Sequence, residues 1–296
     1  MKPAIACVIV AATVALAAPA LAKSGPEVEI RHAVARVVVV VEDRTDVAVE
    51  VEQGASGLPA IRVSRVGNEV RIDGGLARPG LFNRGDGIRN CRSGPGTAQR
   101  PGDGASVEVR SLGRINLSDA PLIVVRTPRT VNVGASGAVF GSVGRGATSV
   151  DLGNSGCGLW NVANTEGAIS LSITGSGDIR AGTSSALEVS ITGSGSVAAG
   201  STRDLDVSIA GSGDVTVARL EGPMDVSIAG SGDVDVRAGT SPTVSISIAG
   251  SGDIAFGGEA VDVDVSIRGG GDVSIARATG SVSRSVAGGG DIRIGS

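Results

Sequence analysis

The sequence predicts an all-β chain, specifically a parallel β-solenoid with coils of about 19 residues following an irregular N-terminal β region. Three observations carry this. A Gly-Ser-Gly-Asp-Val pentapeptide or close variant recurs with its fourth position at Asp178, Ser196, Asp214, Asp233, Asp253, Asp272 and Asp291, at separations of 18, 18, 19, 20, 19 and 19 residues. A period held in phase within one chain marks one unit stacked on copies of itself. Apolar residues also alternate on both sides of the pentapeptide, as in Val207 and Ile209 before it and Val215 and Val217 after it. Period-two alternation is the pattern of strands with one buried face. Finally, no repeat shows apolar residues at helical spacing, and 47 glycines among 296 residues punctuate every unit.

Each unit then reads as two short strands bent apart at Gly-Ser-Gly and closed by variable segments such as Gly200-Ser201-Thr202-Arg203 or Leu220-Glu221-Gly222-Pro223. A hairpin meander would also supply two strands per unit. Constant phase favours the solenoid, because like residues then lie above one another in parallel ladders. A propeller blade needs roughly 40 residues. One coil buries about four side chains while ordering about 19 residues, so a single coil is unstable and stacking is compulsory. Degenerate copies, Ala135-Ser136-Gly137-Ala138-Val139 and Ser155-Gly156-Cys157-Gly158-Leu159, put earlier key positions at Ala138 and Gly158. The regular repeats are therefore expected over residues 131–296.

Residues 1–22 read as a secretory leader: Lys2 at the start, an apolar Ala4-to-Ala18 stretch too short to span a bilayer, and Ala20-Leu21-Ala22 as cleavage site. No later run is long enough for a membrane helix. Residues 23–130 form the irregular β region, with strands at Val37 to Val41, Val47 to Val51, Ile61 to Val63 and Val70 to Ile72 capping the stack. Residues 74–105, rich in Gly, Pro and Arg, are expected to be a long exposed excursion. Cys91 and Cys157 survive leader removal, and in an oxidising compartment this sparse pair is expected to form one disulfide, pinning the excursion to an early coil.

After processing, 30 acids face 25 Lys plus Arg (26 less Lys2), which argues against nucleic acid as a partner. One Trp, three Phe and no Tyr leave little for stacking on bases or sugars. His32 is the single histidine and lies far from the repeats in sequence, so no serine has an evident activating base.

The Gly-Ser-Gly-Asp repeats, the leader and the opening Val28–Gln53 stretch, VEIRHAVARVVVVVEDRTDVAVEVEQ, resemble the putative auto-transporter adhesin, head GIN domain family. The resemblance covers essentially the whole mature chain. It implies an exported bacterial β-solenoid of unassigned activity. An autotransporter also needs a membrane barrel, which these repeats do not supply, so self-translocation is not expected.

Two outer files are candidate sites. Asp214, Asp233, Asp253, Asp272 and Asp291 are expected about 5 Å apart along one edge. Each carboxylate is expected to accept a backbone N–H of its own turn; the alternative is Ca²⁺ bridging neighbouring turns. The second file is Ser172, Ser190, Ser208, Ser227, Ser247, Ser266 and Ser285, flanked by Ser170, Glu188, Asp206, Asp225, Ser245, Asp264 and Ser283. These small polar rows point outward and suit solvation, a repetitive polymer or an ice-like water lattice. The acid pair Asp262 and Asp264 comes without a groove or an aromatic platform, and Arg84-Gly85-Asp86 is ascribed to composition. The last coil is expected to offer unpaired backbone groups, guarded by Arg284 and Arg293 or used for self-association. The reading is an exported, non-catalytic surface-binding or structural protein of the periplasm or cell surface, without cofactor, its ligand or polymer unidentified. The alternatives are a carbohydrate-active enzyme on the same scaffold and a calcium-stabilised envelope protein.

Overall fold

The computed structural model describes residues 25–76, 87–95 and 100–295. The leader and Arg84-Gly85-Asp86 lie outside these residues. Along the chain come β1 (Glu27–Val41), β2 (Ala48–Glu52), β3 (Arg62–Val66), β4 (Glu69–Asp73), β5 (Ile88–Arg92), β6 (Ser106–Val109), β7 (Gly113–Asn116), β8 (Leu122–Thr127), β9 (Thr130–Val143), β10 (Ser149–Cys157) and β11 (Leu159–Val162). Strands then continue to Ile292–Ile294, and no α-helix occurs among the described residues.

The chain is a parallel β-solenoid of about nine turns, with coils about 19 residues apart. From β9 onward each strand pairs in parallel with its counterpart one coil later, for example Ile191↔Ile209 and Ile209↔Ile228. The inner files are the alternating apolar residues of the repeat. Ile173, Ile191, Ile209, Ile228, Ile248 and Ile267 stack one above another, each 1% exposed. Burying one such side chain stabilises the fold by about 1.5–3 kcal/mol, and each added coil lengthens every file by one.

Pairing shifts the early frame. Gly175 pairs with Gly156, and Gly156 with Gly137, while Leu159 pairs with Asp178. The key position therefore falls at Leu159 and, one coil earlier, at Phe140, rather than at Gly158 and Ala138. Both steps then equal the one from Asp214 to Asp233 in the regular coils. The apolar residues at these outward positions had disguised the frame.

The parallel ladder also reaches into the segment expected to be irregular. β1 pairs with β9 over most of its length, turning its corner between Ile30 and Ala33 with His32 at φ +49°. Beneath β1 the rung is divided. β4 pairs with Glu27–Arg31 and β8 with Arg36–Val41, and the chain between them departs from the stack. β3 and β2 then pair antiparallel to β4 and β8, closing this end.

The departing segment carries β structure of its own, most of it beyond the expected 74–105 excursion. β5, β6 and β7 form a small antiparallel sheet, and Val107, Val109, Ile115, Leu117 and Ala120 bury themselves against Val34, Ala138, Phe140 and Leu159 of the coils. The alternation of Val107, Val109 and Ile115 supplies this second apolar face. Its partners are solenoid residues that point outward.

Glycine is compulsory at the corners. Gly230 has φ +144°, and a Cβ there would lie 2.0 Å from the Gly211 carbonyl oxygen of the coil below. Gly141 serves packing instead, since a Cβ on it would sit 2.4 Å from the Trp160 ring that fills the interior above it. At the far end, Val282, Arg284 and Val286 continue the inner files of Val263, Val265 and Ile267 but are exposed. No helix among the described residues is long and apolar enough to cross a membrane.

Candidate functional site

The aspartates form a hydrogen-bonded file. Asp214 Oδ1 accepts the N–H of Asp233 at 3.2 Å, Asp233 Oδ1 that of Asp253 at 2.8 Å, Asp253 Oδ1 that of Asp272 at 2.8 Å, and Asp272 Oδ1 that of Asp291 at 2.9 Å. The acceptor thus serves the next turn, not its own. The key residue follows the Gly-Ser-Gly bend, where Asp178 and Asp214 reach a backbone carbonyl of the coil below and the later aspartates reach a carboxylate. A carboxylate projecting from that coil supplies the partner, as a cap does at a helix end. Where the preceding residue is Ser196, the N–H of Asp214 bonds instead to the Gly195 carbonyl at 3.2 Å. A serine therefore interrupts the file without stranding a donor. Asp291 has no coil beyond it among the described residues, so it accepts the N–H of its own neighbour Ile292 at 2.9 Å and pairs with Arg293 at 3.0 Å.

The five calcium candidates lie in single file, one carboxylate per coil, with Oδ1 of the first four engaged by N–H donors between them. Among the described residues no group of three or more His, Cys, Asp or Glu is placed to hold a metal ion.

The serine file is in register throughout. Ser172 pairs with Ser190, Ser190 with Ser208, Ser208 with Ser227, Ser227 with Ser247, Ser247 with Ser266, and Ser266 with Ser285. Beside it run Ser170, Glu188, Asp206, Asp225, Ser245, Asp264 and Ser283, and on the other flank Thr174, Thr192, Ala210, Ala229, Ala249, Arg268 and Ala287. Three parallel rows of mostly small residues make a flat, largely exposed face. Crowding in the acidic row has an electrostatic signature. Partial burial, then Asp225, Glu188 and Asp204, push the Asp206 carboxyl above its ordinary range. The acid pair parts company in its contacts, since Asp262 Oδ1 accepts both the N–H of Ser281 at 2.9 Å and its hydroxyl at 2.6 Å. These bonds hold the Asp262 carboxyl below its usual range.

Cys91 and Cys157 form a disulfide with Cα atoms 6.2 Å apart. The bond ties β5 of the small sheet to the end of β10, beside the apolar contact made by Phe140 and Leu159. His32 contributes its backbone N–H to the Ser136 hydroxyl at 3.3 Å, so this contact places no imidazole on a serine.

The chain matches a described family over most of its length. The model of the putative auto-transporter adhesin, head GIN domain, covers residues 32–260 and, in a second match, 221–296. The chain belongs to that family. The two matches overlap at residues 221–260, as expected where stacked head GIN coils are nearly interchangeable. No curated protein matches the chain. Family membership gives the chain an adhesin-like description, with which the disulfide, a bond of oxidising compartments, is consistent.

What the residues alone did not reveal is the covered patch. Ala138, Phe140 and Leu159 occupy outward positions that later coils give to polar residues. An apolar side chain at a polar file position was the available signal, and it pointed to an internal partner.

Proposed function

We propose that the protein is an exported, non-catalytic β-solenoid that offers a rigid surface for adhesion or binding at the bacterial envelope. The observation that supports this most directly is the flat face of serine rows, held at one inter-strand spacing through seven paired coils. Its backbone is fixed by parallel ladders, so contacts to a repetitive surface cost little ordering of the protein itself. The family description as an adhesin points the same way. The absence of a histidine beside these serines supports the non-catalytic reading, since His32, the single histidine of the sequence, meets the Ser136 hydroxyl through its backbone N–H.

Adhesion requires exposure on the cell. Fractionating producing cells and probing intact ones with an antibody to the mature chain should label the cell surface. Labelling only after the outer envelope is permeabilised would remove the adhesive reading.

A further inference from the structure

The coils are not all of one length, and the difference has a local consequence. The step from Val162 to its partner Ala181 is one residue longer than the step from Ile169 to its partner Leu187. The closing segment at residues 182–186 is therefore one residue shorter than its predecessor. The deficit persists in the pair Thr202 and Leu220 and ends at the next pair, Leu205 and Met224. Two successive coils are thus short at the same corner, with longer corners on either side. A residue of extended chain is about 3.4 Å long, so the surface retreats there into an open groove of about 650 Å³.

The floor of the groove is tied inward. Ser184 Oγ donates to Thr202 Oγ1 at 3.3 Å, and Thr202 Oγ1 donates to the Asp204 carbonyl at 2.9 Å. Backbone groups are paired between coils as well, Thr165 N–H with the Thr183 carbonyl and Ser184 N–H with the Ser201 carbonyl. The walls carry longer polar groups from the flanking corners: Asn164 and Glu166 on one side, Arg203 and Glu221 on the other. Asn164 Oδ1 accepts the Thr183 N–H at 3.1 Å, which fixes the amide at the rim. Glu221 is held by Arg219 and by Thr240. Arg203 is exposed and has no ion pair among the described residues.

We propose that this notch is a hydrogen-bonding subsite for a neutral glycan, an inference that rests on the surface-binding reading above. Its volume is that of a small-molecule site. A carboxylate, an amide and a guanidinium on facing walls match neighbouring sugar hydroxyls, which both donate and accept. Glu166 and Glu221 are balanced by Arg203 and by the Arg219 that holds Glu221, so the walls carry no net charge and favour a neutral ligand over an acidic sugar. A peptide strand finds no open ladder, because the corner's backbone N–H groups are already bonded between coils.

The test is binding of the purified mature protein to an array of neutral oligosaccharides, including β-glucans, mannans and galactans. At least one neutral class should bind. Arg203→Ala and Glu166→Gln should each weaken it at least tenfold with the melting temperature unchanged. Inserting one residue between Gly182 and Thr183, which restores the longer corner, should abolish it, while Ala255→Arg, exposed and outside both the notch and the serine face, should not. Unchanged binding by the Arg203 and Glu166 variants overturns the notch yet leaves adhesion by another face standing. Binding confined to acidic glycans or peptides, or no binding, overturns the ligand class. Surface labelling of intact cells reports separately on the parent reading.

Discussion

The early coils and the later ones share an interior and differ in what lies outside it. At the outward key position the stack carries Phe140 and Leu159 beneath the small sheet, and then Asp178, Ser196, Asp214, Asp233 and their successors in the open. One step of the same repeat thus makes an internal interface in one place and a solvated edge in the other. The interior decides that the chain stacks, and the outer file decides what each stretch of the stack is for. Apolar outer residues recruit the chain's own insert, whereas small polar ones leave a face open to other molecules. Arg126–Glu42, Arg129–Asp43 and Arg71–Glu69 pair at the closed end, while the later coils carry pairs such as Arg219–Glu221 and Arg277–Glu259 along their exposed edges.

The comparison breaks most sharply if the two outer files are exchanged. Phe140→Asp places under the small sheet the residue that later coils carry in the open. Burying an unpaired carboxylate there, and losing the ring's contacts with Leu117 and its neighbours, should cost about 4 kcal/mol or more. Denaturant midpoints and limited proteolysis would register it, with new cleavage between residues 87 and 121. An unchanged midpoint would mean that the small sheet is not held by this patch.

The disulfide sharpens the same contrast. Cys91 and Cys157 are 66 residues apart in sequence, and opening a loop of that size removes a constraint worth about 4 kcal/mol. Cys91→Ser should therefore lower stability by up to that amount. Hydrogen exchange should rise chiefly in β5 to β7, with the coils beyond Asp214 keeping their protection.

A smaller effect is expected in the open file. Asp233→Ala removes the acceptor of the Asp253 N–H, a loss comparable to that of a helix cap, about 1 kcal/mol. The local signature is faster amide exchange at Asp253 alone. The gap at Ser196 sets the scale, because a backbone carbonyl can take over one such donor.

Legibility in the sequence followed the same division. The interior was readable because stacking forces one residue type into each file, and the spacing of Ile209, Ile228 and Ile248 shows this directly. The faces were readable as rows, since a residue's side of a strand follows from parity. The aspartate bonds were not, because whether Asp233 serves its own N–H or that of Asp253 depends on which acceptor the N–H after the bend reaches, a geometric matter with no compositional trace. The small sheet was hidden for another reason. Its strands are short, and the apolar residues that recruit it, Phe140 and Leu159, obscured the repeat frame in which they would have looked anomalous.

Acid should separate the regions by sign rather than size. Arg129 holds the Asp43 carboxyl below its ordinary value of 3.8, first through their hydrogen bond and then by charge, and Arg71 likewise lowers Glu69 from 4.5. A depressed carboxyl contributes stability that is present above its unfolded value and is lost as pH falls through the folded one. The closed end should therefore loosen below about pH 4, modestly, because these pairs are exposed. Asp206 runs the other way. Partial burial and its acidic neighbours raise it above 3.8, so the folded state takes up a proton more readily than the unfolded chain, and stability there grows as pH falls through the raised value. Site-resolved hydrogen exchange between pH 6 and 3 should show protection falling around β8 and the start of β9 while it holds or rises around Asp206. Asp206→Asn should remove the rise and leave the fall, and Arg129→Gln should do the reverse. If both regions lose protection together, the acidic row is not under the repulsion that its register imposes.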